Sequence, residues 1–172
     1  MAPETGPQYP YSTPEEYFFE ADRRINADQV NEAFSLLREL TSRFPDYGRA
    51  YNHLGFLYET KYRDPAKAED CYKRCLELSP DYPALFLNYA ILLNNQNRWD
   101  DLESLLEQAL QVPGINKAKV HNEYAIMREV QGNFDSAIAK YRQAIQFSFA
   151  DSDIAAYEAS IKRVEQKKSL LN

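Results

Sequence analysis

The chain has 172 residues, 44% hydrophobic and 27% charged, and it contains no apolar run near the ~18 residues needed to cross a membrane as a helix. A core of this size can remove roughly two-thirds of the unfolded surface from water, so neither extended disorder nor a dependence on disulfides or metal is expected. Twenty basic against 26 acidic side chains give a net charge of −6, which argues against nucleic acid and anionic membrane surfaces as partners.

Residues 1–13 are proline-rich and predict a mobile tail; they hold neither a positive n-region nor an apolar h-region. With only two cysteines, Cys71 and Cys75, four residues apart, a reducing, cytoplasmic location is expected. Thr13-Pro14-Glu15-Glu16 predicts the start of a first helix, with a threonine cap, a proline at the first helical position and a glutamate reaching back. Its partner helix carries Ala33, Leu37 and Leu40 and stops before Pro45. The next pair begins with Tyr51 and Gly55 on one helix face; Asp64-Pro65 opens its second member, whose apolar face is Ala68, Cys71, Tyr72, Cys75 and Leu76, and Pro80 ends it. A third pair runs through Phe86 and Ala90, then Leu102, Leu106 and Ala109. A fourth runs through His121 and Ala125, then Ala137, Ile138, Tyr141, Ala144 and Ile145. From Asp151 to Leu171, Ile154, Tyr157, Ile161 and Val164 predict one more amphipathic helix whose polar side includes Glu158, Lys162 and Arg163.

These pairs repeat. Small residues recur at Ala21, Gly55, Ala90 and Ala125, in steps of 34, 35 and 35. Ala33, Ala68, Leu102 and Ala137 keep that register, as do Leu40, Cys75, Ala109 and Ala144, and large residues do so at Tyr17, Tyr51, Phe86, His121 and at Leu37, Tyr72, Leu106, Tyr141. Small side chains let paired helices approach and rings fill the space left between them, so each unit reads as a helical hairpin. One extra residue falls in the turn around Lys61 to Asp64 and another in Val112 to Asn116, both predicted loops.

Repeat two, with Tyr51, Leu54-Gly55, Tyr58, Ala68, Tyr72, Cys75 and Pro80, resembles the tetratricopeptide repeat (TPR), and the resemblance extends over about residues 14 to 151. Repeat one departs from the pattern at Glu20 and Arg24. Pattern and resemblance together predict an all-α fold, a right-handed α-solenoid of four helix-turn-helix hairpins (14–47, 48–82, 83–117 and 118–151) closed by a C-terminal capping helix, 152–171. Lys167 and Lys168 suit the negative end of that last helix.

In such arrays the first helices line the concave side. Their non-core faces place Asn52, Asn88 and Asn122 about once per repeat, each offering a donor and an acceptor to a peptide backbone, with Phe56, Ile91 and Ile126 as an apolar row beside them. Arg49 and Lys119 complete the candidate peptide-binding set; a merely solvated helix face is the competing reading of the same residues. The carboxylate clamp that the resemblance brings to mind does not carry over, because Phe18, Asp22 and Glu123 stand where basic groups are wanted. Cys71, Cys75 and His53 lack a fourth zinc ligand, His121 sits in the aromatic column, and no nucleophile or phosphate-loop motif occurs, so no catalytic residue, metal or cofactor is expected. The expected function is that of a protein-interaction adaptor or scaffold binding a peptide or protein segment in the groove. The alternative is a structural repeat whose copies assemble into homo-oligomers through their helices.

Overall fold

Thr13 opens the first helix with a reciprocal pair of bonds: the Glu16 N–H donates to Thr13 Oγ1 at 3.3 Å, and the Thr13 N–H donates to Glu16 Oε2 at 3.0 Å. This start lies near the beginning of residues 10–171, the part of the chain that the computed structural model describes; most of the expected mobile tail lies outside it. Nine α-helices occur among the described residues: α1 (Pro14–Asn26), α2 (Val30–Arg43), α3 (Gly48–Thr60), α4 (Pro65–Leu78), α5 (Pro83–Asn95), α6 (Trp99–Ala109), α7 (Lys117–Val130), α8 (Phe134–Gln146) and α9 (Asp151–Leu171). Asp64 caps α4 by accepting from the Lys67 N–H at 3.1 Å, and Asn116 caps α7 by accepting from the Lys119 N–H, also at 3.1 Å.

The helices pair as α1 with α2, α3 with α4, α5 with α6 and α7 with α8, giving an all-α helical-repeat fold. Each pair turns through one residue with positive φ: Asp28 (56°), Arg63 (53°), Asn97 (56°) and Gly132 (77°). These four positions keep the spacing of the sequence columns, so the same left-handed backbone step reverses the chain in every hairpin, and only the last copy places glycine there. The inserted residue of the second hairpin lies in its turn, 61–64, where the other three hairpins have three-residue turns. The connection from α6 to α7 is longest, 110–116, and tucks Val112 and Ile115 under itself.

The described residues group into two compact units, one up to Pro80 and one from Asp81 onward, where the sequence pattern suggested one unbroken run. In the first unit Tyr17, Ala21, Ala33, Leu37, Leu40 and Leu57 are fully buried together. In the second, Ala125, Ala137, Tyr141 and Ala144 bury against Tyr157 and Val164 of α9. Ala33, Ala68, Leu102 and Ala137 are each the fourth residue of their helix and each fully buried, so equal spacing in sequence has become equal environment. Gly55 lies against a ring: a Cβ there would sit 2.5 Å from Tyr72 Cε1.

Repeat one resolves its polar departures internally. Glu20 accepts from Arg23 and Arg24, which hold its carboxyl at about 2, and Arg24 also reaches Glu32 on α2 at 2.8 Å.

The last helix is held by more than its apolar face. Glu129 on α7 is 8% exposed and accepts from Tyr141 Oη at 3.0 Å, from Arg163 Nε and Nη2 at 3.0 and 2.7 Å, and from Lys167 Nζ at 2.7 Å. Burial alone would raise its carboxyl, but these donors outweigh burial and hold it at about 2. Lys168 pairs with Asp135 on α8. Lys167 and Lys168, expected to serve their own helix end, therefore reach across to neighbouring helices. The reason is length: a lysine side chain spans the gap between packed helices, and a carboxylate on the far side offers it more than its own terminal carbonyls do.

Candidate functional site

In the first unit, Arg49, Asn52 and Phe56 follow one another along one side of α3, spaced three and four residues apart. Arg49 is exposed, but Asn52 is only 2% exposed and Phe56 packs against the buried core of this unit. An open asparagine and an open apolar anchor were expected here. The structure replaces both with packed positions, because α3 lies against α2 and α4 at once and leaves only a narrow arc for solvent. Beside them His53 packs edge-on to Phe18 at 4.5 Å and its Nε2 meets Asp22 Oδ1 at 3.3 Å. Burial lowers its pKa despite Asp22, so His53 is a packed neutral ring.

The second unit holds an open groove of about 480 Å³ between α5, α7 and α9, lined by Ala84, Leu87, Asn88, Ile91, Lys119, Asn122, Glu123 and Tyr157. Proline at the start of α5 and the Asn116 cap of α7 fix where these helices begin, and a three-residue spacing then sets Asn88 and Ile91 on one side of α5, and Lys119 and Asn122 on one side of α7, along the same groove. Four of the eight expected residues, Asn88, Ile91, Lys119 and Asn122, thus line one cavity. Ile91 is 44% exposed and available to a ligand. Ile126 is not in the lining; it packs on the core around Ala125 and Tyr141.

The expected residue set left out two groups that shape this groove. Tyr157 comes from α9, so the last helix contributes a wall as well as closing the core. Glu123 lies in the lining with 9% of its surface exposed. Asn94 Nδ2 donates to its Oε2 at 2.7 Å and Asn122 Nδ2 to its Oε1 at 3.3 Å. Burial pushes the Glu123 carboxyl above its usual range, against the lowering effect of those two amides. In sequence it is one acid among 26 acidic residues, and nothing in its spacing distinguishes a desolvated carboxylate from a solvated one.

Elsewhere, a depression of about 520 Å³ between α8 and α9 includes Asp135 and Lys168, the pair that joins the last helix to its neighbour. Cys71 and Cys75 are free thiols that burial pushes up to about 11 and about 12, so both are protonated at neutral pH. His121 stacks on Phe147 with centroids 5.4 Å apart. None of the helices is long and apolar enough to cross a membrane among the described residues.

The family model described as the PRP39 C-terminal HAT repeat matches residues 46–165, well over half of the chain. The chain belongs to the TPR and HAT group of helical repeats. The match begins just before α3, so the polar first hairpin of this repeat protein lies outside it. The mouse mitochondrial import receptor subunit TOM70 is 28% identical over 138 residues, which cover 76% of this chain and 21% of that protein. The human protein O-mannosyl-transferase TMTC3 is 31% identical over 109 residues, 62% of this chain and 12% of the relative. The repeat chain therefore spans about a fifth or less of the length of these curated relatives. Among solved structures, TTC0263, a thermophilic TPR protein of Thermus thermophilus, superposes with a TM-score of 0.67 at 24% identity, covering 87% of this chain and 81% of that one. Pseudomonas aeruginosa PilF superposes with a TM-score of 0.78 at 16% identity, covering 90% and 69%. At these identities the two structures establish the fold alone.

Proposed function

We propose that this repeat protein is a non-catalytic protein-interaction module that binds an extended segment of another protein in the groove between α5, α7 and α9. The observation that carries this reading is the convergence of Asn88, Ile91, Lys119 and Asn122 on one open cavity of about 480 Å³. Side-chain amides present donors and acceptors together, which suits the alternating N–H and C=O of a peptide, and Leu87, Ile91 and Tyr157 supply apolar surface for its side chains. The likeness to TOM70, an import receptor subunit, supports a recognition role. Of the residues expected to bind along repeats two to four, Arg49, Asn52, Phe56 and Ile126 lie outside this groove.

Site-specific photo-crosslinking tests it. A photoreactive residue in place of Ile91, in the groove, should yield a protein adduct from native lysate, while one in place of Glu107, exposed on α6, should not. Equal adducts from both positions, or none from Ile91, would remove the groove from consideration.

A further inference from the structure

The groove contains a charge that its own unit leaves without a counter-ion. Glu123 has two neutral amide donors, Asn94 and Asn122, and forms no ion pair among the described residues. Six residues along the same helix, Glu129 is equally buried but has Arg163 and Lys167 against it. The fold can therefore pair a buried carboxylate on α7 with cations, and at Glu123 no such pair forms among the described residues. An uncompensated buried carboxylate is a standing cost to stability. Asn94 Oδ1 is also buried without a partner, so acceptors outnumber donors around this carboxylate.

We propose that Glu123 is the receptor for one basic side chain, lysine or arginine, of the segment bound in the groove. This rests on the peptide-binding reading above and adds its specificity. The geometry fits such a side chain along its whole length. Ala84, Leu87 and Ile91 of α5 and the Tyr157 ring of α9 form a wall for an aliphatic stem, and the Glu123 carboxylate receives the charged head. A guanidinium or ammonium supplies the donors that this end of the groove lacks, and a charge-assisted bond there is stronger than those from the two amides. The charged or titratable groups facing Glu123 are Lys119 on α7 and Tyr157 on α9. Lys119 is exposed and disfavours a second basic residue beside the first.

The test is selection from a random dodecapeptide display library on the whole chain. The unmodified protein should enrich peptides with lysine or arginine at one fixed position, and Glu123→Gln should lose that preference. The glutamine of that variant retains one acceptor, and Asn94 can rotate its amide to meet the new donor, so the variant should stay folded; its circular dichroism melt verifies this. A second measurement needs no variant: replacing the selected arginine by neutral, nearly isosteric citrulline should weaken binding to the unmodified chain by about tenfold or more. Selected peptides without a fixed basic residue, equal selection by Glu123→Gln, or equal binding of the citrulline peptide would overturn the assignment of Glu123 while leaving peptide binding in the groove intact. If no peptide is enriched at all, the groove reading falls and this inference falls with it.

Discussion

Gly55 and Tyr72 are the clearest case of one residue setting the spacing of two helices. The Tyr72 ring is fully buried, its hydroxyl donates to Glu59 at 2.9 Å, and it occupies the space where a side chain at position 55 would begin. In the fourth hairpin Ala125 and Tyr141 hold the same two columns, so a methyl group is tolerated there. Replacing Gly55 by alanine should force the second hairpin open or push the ring off its rotamer. We expect a loss of about 1 to 3 kcal/mol, the usual cost of overfilling a packed core, read as a lower melting temperature. An unchanged melt would mean that Tyr72 moves freely despite its bond to Glu59.

At the scale of elements, α9 is held by the convergence of Tyr141, Arg163 and Lys167 on Glu129. The Glu129 carboxyl is held at about 2 in the folded chain against an ordinary 4.5, so the unfolded chain takes up the proton first. The stability this provides is present in full above about pH 4.5 and disappears as pH falls toward about 2. Glu129→Gln should therefore melt below the parent at neutral pH, with the gap closing across that acid window. Amide exchange in α9 should rise in the variant, because one end of its attachment is lost. A gap that does not change with pH would show that the ion pairs contribute nothing and that Tyr157, Ile161 and Val164 hold the helix alone.

For the whole molecule, the division at Pro80 carries its own prediction. The second unit contains a buried core drawn from its own helices and ends in a helix that covers it. A fragment from Asp81 to Asn172 should therefore show a helical spectrum and a cooperative thermal melt. A gradual, non-cooperative loss of signal would indicate that this core is too small to order its helices without the first unit. Removing residues 153–172 from that fragment should expose Tyr141, Ile138 and Ala144 and cause aggregation, as expected when a terminal cap is lost.

Much of this architecture was legible in the order of residues. Four hairpins and a closing helix follow from a spacing of 34 to 35, because every copy solves the same packing problem with a small residue opposite a large one. The Thr13 and Asp64 caps and the longer turn at 61–64 were also readable, since capping and chain reversal depend only on near neighbours. The site was legible only in part. Asn88, Ile91, Lys119 and Asn122 could be placed on one side of their helices by periodicity, and they meet in one groove. The burial of Asn52, the packing of Phe56 and Ile126 and the wall made by Tyr157 depend on which helices lie alongside. Glu123 and Glu129 show the limit most plainly: two glutamates on one helix read alike in sequence, yet among the described residues one is ion-paired with two cations and the other bonds only to neutral amides. Helical period and capping are local properties, determined by the sequence itself. Solvation and charge pairing belong to groups brought together from distant parts of the chain, so only the tertiary structure decides them.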